Sequence, residues 1–171
     1  NVERRDLVYN VDLIATITDL LGIPVPKKWD GRSFAGVIRG NADYIPREYL
    51  VWDHGLYSVN RTVRTDEWLM MRTYHPGVVP LEPIELYNMI DDPYMTKNLA
   101  AGHPHIVEKM DHLLQEWLHE QTGQPFSAPD PLPLVVQTGP FKYVQEQPWA
   151  NRLQKAGGNR LREAFQSRIQ R

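Results

Sequence analysis

Cysteine is absent from the 171 residues, which excludes disulfides, thiolate metal sites and a cysteine nucleophile within this stretch. An excess of one charge is missing too: 19 Lys and Arg stand against 21 Asp and Glu, a formal net charge of -2. A protein built mainly to hold nucleic acid carries a basic patch or stripe, so no nucleic-acid partner is expected. No apolar run approaches the roughly 20 residues that cross a bilayer, so no membrane partner is expected either. Nor is there a phosphate-cradling glycine loop, a nucleophile elbow around a serine, or a His-Glu-x-x-His zinc helix. These gaps leave no self-contained active site announced in the chain.

What is present is the make-up of a globular protein: 42% hydrophobic, 10% aromatic and 23% charged. A chain of this length can bury roughly 70% of its unfolded surface, enough for a sizeable core without staples. The first residue is Asn1, and no charged-then-apolar leader follows it. The expectation is either a processed start or a piece of something longer.

Leu13, Ile14, Ile17, Leu20 and Leu21 recur at helical spacing and predict one helix with an apolar stripe. Asn10 is the expected cap, Gly22 the left-handed exit, and Pro24 a barrier to continuation. A loop with turn chemistry at Asp30-Gly31 leads to a short helix through Phe34, Val37 and Ile38. From Glu48 the texture is β-rich. Tyr49 to Trp52, Val59 to Val63, Trp68 to Tyr74 and Ile84 to Met89 predict four strands, separated by Gly, Pro and Asp clusters. A second helix is expected from about Pro104 to Gln121, with Ile106, Met110, Leu113, Leu114, Trp117 and Leu118 on its buried face. The fold class is therefore α+β, a small antiparallel sheet of about four strands packed by a helix. After Gly123, Pro125, Pro129, Pro131 and Pro133 mark an extended linker. Phe141 to Val144 allow one short strand, and Leu161, Phe165 and Ile169 a short amphipathic helix in a basic tail.

Trp52-Asp53-His54-Gly55 stands where the first strand ends, a place that often displays functional side chains. His54 beside Asp53 can donate to an anion or exchange a proton; the alternative is a loop histidine with an aspartate nearby. Arg61 and Arg64 bracket the second strand and Arg72 lies on the third. Their planar forks suit sulfate, phosphate or carboxylate, though strand alternation puts Arg61 and Arg64 on opposite faces. Surface or structural ion pairs are the favoured reading for each. His105, His112, Glu116 and His119 line the polar side of the second helix; a metal cluster is conceivable there, and a solvated face needs fewer assumptions. Asp91-Asp92 can ligate a cation but suffices as an Asp-Pro turn, and Asn60-Arg61-Thr62 matches a glycosylation acceptor.

Taken in order, these segments resemble the C-terminal part of a sulfatase of the alkaline-phosphatase superfamily. Val11-Asp12-Leu13 through Leu20-Leu21-Gly22-Ile23 is similar to the family helix V-D-L-x-P-T-L-x-x-L-x-G-I, and Asp30-Gly31-Arg32-Ser33-Phe34 to D-G-x-S-L. Arg61-Thr62-Val63-Arg64-Thr65 resembles R-x-V-R-T. Glu85-Leu86-Tyr87-Asn88-Met89, then Asp92-Pro93 and Asn98-Leu99-Ala100, resemble E-L-Y-D-L and D-P-x-E-x-x-N-L-A. The likeness covers roughly residues 6 to 122; Ala15 replaces the usual proline, Asn88 an aspartate, and Tyr94-Met95 the common Gly-Glu.

The resemblance implies a sulfuric ester hydrolase that uses a formylglycine, made from a Cys or Ser in C/S-x-P-x-R, and a divalent cation, usually calcium. Neither that motif nor the metal-holding carboxylates occur in this chain, so both cofactors are expected in a larger N-terminal part, and this stretch alone is expected to be inactive. It further implies residues 1–45 as the end of that larger domain, 46–123 as the C-terminal subdomain forming a wall of the substrate cleft, and 124–171 as linker and basic extension. His54 and Arg64 are then the substrate-binding residues, with no catalytic or metal-ligating residue assigned here. The implied substrate is a sulfated small molecule or sugar, and the tail is a segment through which relatives assemble as homo-oligomers. Two alternatives stay open: a stand-alone α+β binding module, and a phosphodiester or phosphonate hydrolase of the same superfamily.

Overall fold

A computed structural model describes residues 3–40, 45–77, 81–123 and 130–138. The chain divides at Leu50 into two compact units, Asn1–Leu50 and Val51–Arg171.

In the first unit, α1 spans Asn10–Leu20, with Tyr9 in extended conformation at its cap and Gly22 at φ 73° after its end. Asn10 is thus the first helical residue rather than the cap. Asp12 takes over the capping role, its Oδ2 accepting from the Tyr9 N–H at 2.8 Å. The buried face also differs from the periodicity. Asp12, Ala15 and Thr16 are buried, whereas Leu13, Ile14, Ile17, Leu20 and Leu21 are between 42% and 70% exposed. Small and hydrogen-bonding residues win the inner face because another backbone runs against it. Asp12 Oδ1 accepts from the Arg32 N–H at 2.7 Å, and Thr16 Oγ1 accepts from the Phe34 N–H at 3.0 Å. A Cβ at Gly31 would collide with the Val11 carbonyl oxygen, so that glycine is required by close approach. Thr16 in turn donates to the Asp12 carbonyl at 2.6 Å. The short α2, Ala35–Ile38, follows with Ala35 fully buried, and Gly40 at φ 79° ends the turn. Arg47 closes the unit on Asp12 through Nε (3.1 Å) and Nη2 (2.6 Å), bonds the Asp30 carbonyl, and lies over the Tyr9 ring at 4.8 Å.

The second unit is built on a four-stranded sheet in the order β1-β2-β3-β4, with β1 over Leu50–His54, β2 over Val59–Arg64, β3 over Trp68–His75 and β4 over Ile84–Asn88. Pairing of β2 with β3 and of β3 with β4 is antiparallel, with Val63 opposite Met70 and Met70 opposite Leu86. These residues share one face, and Val59, Val63, Met70 and Leu86 are fully buried. Helix α3, Pro104–Thr122, supplies Met110 and Leu114 to that core, with proline in its first turn. Gly123 exits in right-handed conformation; it is glycine because a Cβ would stand 2.5 Å from the His119 carbonyl oxygen. After β4, Asp92 organises the turn: Oδ2 accepts from the Thr96 and Lys97 N–H groups at 2.7 and 2.9 Å, with Met95 held at φ 55°. The turn is satisfied by its own backbone, which favours the simpler reading of Asp91-Asp92.

The expected linker contains a helix among its described residues. Residues Leu132–Thr138 form a helix, α4. Proline does not forbid it, because Pro131 and Pro133 sit at its start, where no N–H is needed. Asp130 caps it through Oδ1, accepting from the Leu132 N–H at 3.0 Å. The strand expected over 141–144 and the helix through Leu161, Phe165 and Ile169 lie outside the described residues.

Candidate functional site

The end of β1 places the candidate site. The strand runs two residues further than its β-rich stretch predicts, so Asp53 and His54 are its last members rather than loop residues. Alternation sends their side chains apart. His54 is exposed, its Nδ1 lies 3.2 Å from the Ser58 carbonyl, and its ring stacks on Tyr57 with centroids 6.4 Å apart. A carbonyl only accepts, so Nδ1 carries the proton of the neutral ring. Nε2 remains for other chemistry, accepting a proton when neutral and donating to an anion once protonated.

Asp53 points to a different partner. Arg61, 4% exposed in the middle of β2, bonds Asp53 through Nε (2.8 Å) and Nη2 (3.2 Å), and Asp130 through Nη1 (2.9 Å) and Nη2 (2.6 Å). Its guanidinium also faces the Trp117 ring of α3 at 5.8 Å. Burial pushes the Arg61 pKa down, but the hydrogen bonds it donates to Asp130 and Asp53 outweigh it and raise the pKa above the ordinary arginine value. The Arg61 bond likewise holds the Asp130 carboxyl below the ordinary aspartate range, against the opposing effect of burial. This is a paired, satisfied cation, so of the two readings the structure gives Arg61 the structural one.

Arg64 stands at the far end of β2, opposite Leu69, three residues from Arg61 and on the other face. His54 and Arg64 therefore sit at opposite ends of their neighbouring strands. Arg72 pairs with Asp111 of α3 at 2.6 Å. On α3, His112 meets Glu116 at 3.3 Å, both exposed, while His103 lies against Trp68 with centroids 5.5 Å apart. Among the described residues no group of three His, Cys, Asp or Glu side chains is arranged to hold a metal ion. The described residues therefore offer no cluster of their own for the divalent cation that the sulfatase resemblance implies. Asn60 and Thr62 are 5% and 4% exposed within the sheet, so the glycosylation motif is inaccessible in the folded chain.

Two contributors escaped the sequence reading. Asp130 sits in what reads as a linker, although Asp-Pro-Leu is a helix-start signal. Asp12 sits inside a hydrophobic stripe, and only its place at the third helical position hinted at capping.

The described architecture is an antiparallel four-stranded sheet covered by one long helix, with a helix bearing an exposed apolar stripe earlier in the chain. The family described as N-sulphoglucosamine sulphohydrolase, C-terminal, matches residues 1–123, and the chain belongs to it. BT1596, a 2-O GAG sulfatase, has 28% identity and a TM-score of 0.54, over 64% of this chain and 24% of that one. A second solved protein, from Bacteroides thetaiotaomicron VPI-5482, gives 28% identity and a TM-score of 0.53 over the same shares. BT4656, solved with D-glucosamine-2-N,6-O-disulfate, has 24% identity and 0.53 over 63% of this chain and 23% of that one. The chain spans about a quarter of the length of these solved relatives. No curated protein sequence matches it.

Proposed function

We propose that this chain is the C-terminal portion of a sulfatase that hydrolyses the sulfate ester of a sulfated sugar, and that it forms one wall of the substrate cleft. The observation that carries this reading is the family match across residues 1–123; the likeness to a 2-O GAG sulfatase at 28% identity supports a sugar sulfate as the substrate class. On this reading residues 1–45 complete a larger domain that would carry the formylglycine and a divalent cation, while 46–123 form the wall. When present, the formylglycine and cation would supply the nucleophile and charge neutralisation; this chain's own residues bind the substrate. His54, exposed at the end of β1 with Nδ1 tied to Ser58, presents Nε2 to the leaving-group side of the substrate. Arg64 is a second substrate contact, from the opposite end of β2.

The test joins two measurements. The coding sequence upstream of Asn1 should contain C/S-x-P-x-R, and the longer polypeptide should release sulfate from sulfated glucosamines. His54→Ala should then raise KM by roughly 10- to 100-fold, the loss expected for one hydrogen bond to a charged group, with a smaller change in kcat. No release from any sulfate ester would sink the reading, and release from phosphonate esters alone would redirect it. An unchanged KM in the variant would remove His54 from the site.

A further inference from the structure

The cluster around Arg61 does more than bury a charge, because one residue that flanks His54 is bonded to it and the other faces a helix that it seats. Asp53, on the N-terminal side, is gripped by two of the four charged hydrogen bonds of Arg61. Gly55, on the C-terminal side, faces α4: a Cβ built there would lie 3.7 Å from Val135 Cγ1. Helix α4 is itself seated by Asp130, which takes the other two Arg61 bonds and caps the helix at the Leu132 N–H. Leu132 is 5% exposed, so the helix is also anchored by burial. Between Gly55 and Ser58 runs the turn whose last carbonyl fixes the His54 ring. Asp130 and α4 lie beyond residues 1–123, so this arrangement adds to what the family match covers.

We propose that Asp130 is a positioning residue for His54: by gripping Arg61 it latches α4 against the β1–β2 connection and fixes the conformation in which the His54 ring meets substrate. The inference rests on the reading of His54 as a substrate contact. Without Asp130, Arg61 keeps Asp53 as its one carboxylate partner among the described residues, the first turn of α4 loses its cap, and the buried Leu132 is left to hold Val135 beside Gly55. The turn then samples conformations in which the Ser58 carbonyl no longer orients the ring.

The experiment uses the isotopically labelled 171-residue chain in solution. The wild type should show a nuclear Overhauser contact between a Val135 methyl and the Gly55 α-protons, and one sharp His54 Cε1–H signal. Asp130→Asn should lose the contact and shift and broaden the His54 signal, while His112 and His119 on the outer side of α3 stay in place. Asp130→Glu should restore both. Because Asp130→Asn also removes a charge, Val135→Ser is the second arm; it leaves every charge intact and should move the His54 signal in the same way, and it serves equally if the Asn variant does not fold. A His54 signal unchanged in Val135→Ser, or changed in Asp130→Asn with the contact retained, would overturn the latch. Neither readout involves substrate, so the latch can fail while the His54 KM test succeeds, and the reverse.

Discussion

Replacing Asp12 by alanine tests how the first unit is held together. The carboxylate is 1% exposed and accepts four hydrogen bonds, two from Arg47 and one each from the Tyr9 and Arg32 N–H groups. Its loss leaves the Arg47 side chain, 11% exposed, with the Asp30 carbonyl and the Tyr9 ring but without a counter-charge. Breaking a buried pair from one side costs about 3–5 kcal/mol. The two orphaned N–H groups are only part-buried and water can reach them on relaxation, so they add about 1 kcal/mol rather than their full penalty. The expected loss is about 5 kcal/mol, comparable with the whole stability of a small domain. Asp12→Asn keeps one acceptor oxygen and should lose about 3 kcal/mol. Urea unfolding measures the totals, and hydrogen exchange at the Thr16 and Ile17 amides reports the first unit separately, since two units need not unfold together. Burial pushes the Asp12 carboxyl up, but Arg47 and the Arg32 and Tyr9 N–H groups outweigh it and leave the pKa lowered. A carboxyl lowered by folding stabilises above its unfolded pKa, and that stability fades as pH falls through the folded value. The wild type should therefore lose its advantage over Asp12→Asn only in acid. A cost below about 1 kcal/mol for Asp12→Ala, the range of exposed sites, would refute the reasoning.

Three further outcomes follow from other parts of the molecule. Gly31→Ala forces a Cβ into the Val11 carbonyl and should cost about 1–3 kcal/mol, read as a lowered melting temperature. Leu13→Gln and Ile17→Gln, at positions 50% and 54% exposed, should change the stability of this chain by no more than about 0.5 kcal/mol; a cost above about 1.5 kcal/mol would show the stripe to be covered. Burial, then the bond to Glu85, pushes the Tyr87 hydroxyl up to about 12. The difference between the alkaline absorbance titrations of the wild type and Tyr87→Phe should show one phenol ionising near that value. Because this pKa is raised by folding, the stability it carries is intact below the unfolded value and lost as pH climbs through the folded one.

Periodicity and turn chemistry by themselves determined the elements up to Gly123: the four strands, the buried Met110 and Leu114 on α3, and the glycine exit of α1 at Gly22 are all local patterns that physics reads within a dozen residues. The ordered motifs likewise determined the family. Tertiary structure alone decided which face of α1 turns inward. An apolar stripe predicts burial only if something covers it, whereas the inner face was chosen by backbone N–H groups that needed Asp12 and Thr16 as acceptors. It alone decided the fate of the charges, because Asp12 meets Arg47 across 35 residues and Arg61 meets Asp130 across 69. Ion pairs at such separations leave no local signature: a lone aspartate in a helix or a linker looks the same whether it is solvated or gripped, until the chain has brought its arginine to it.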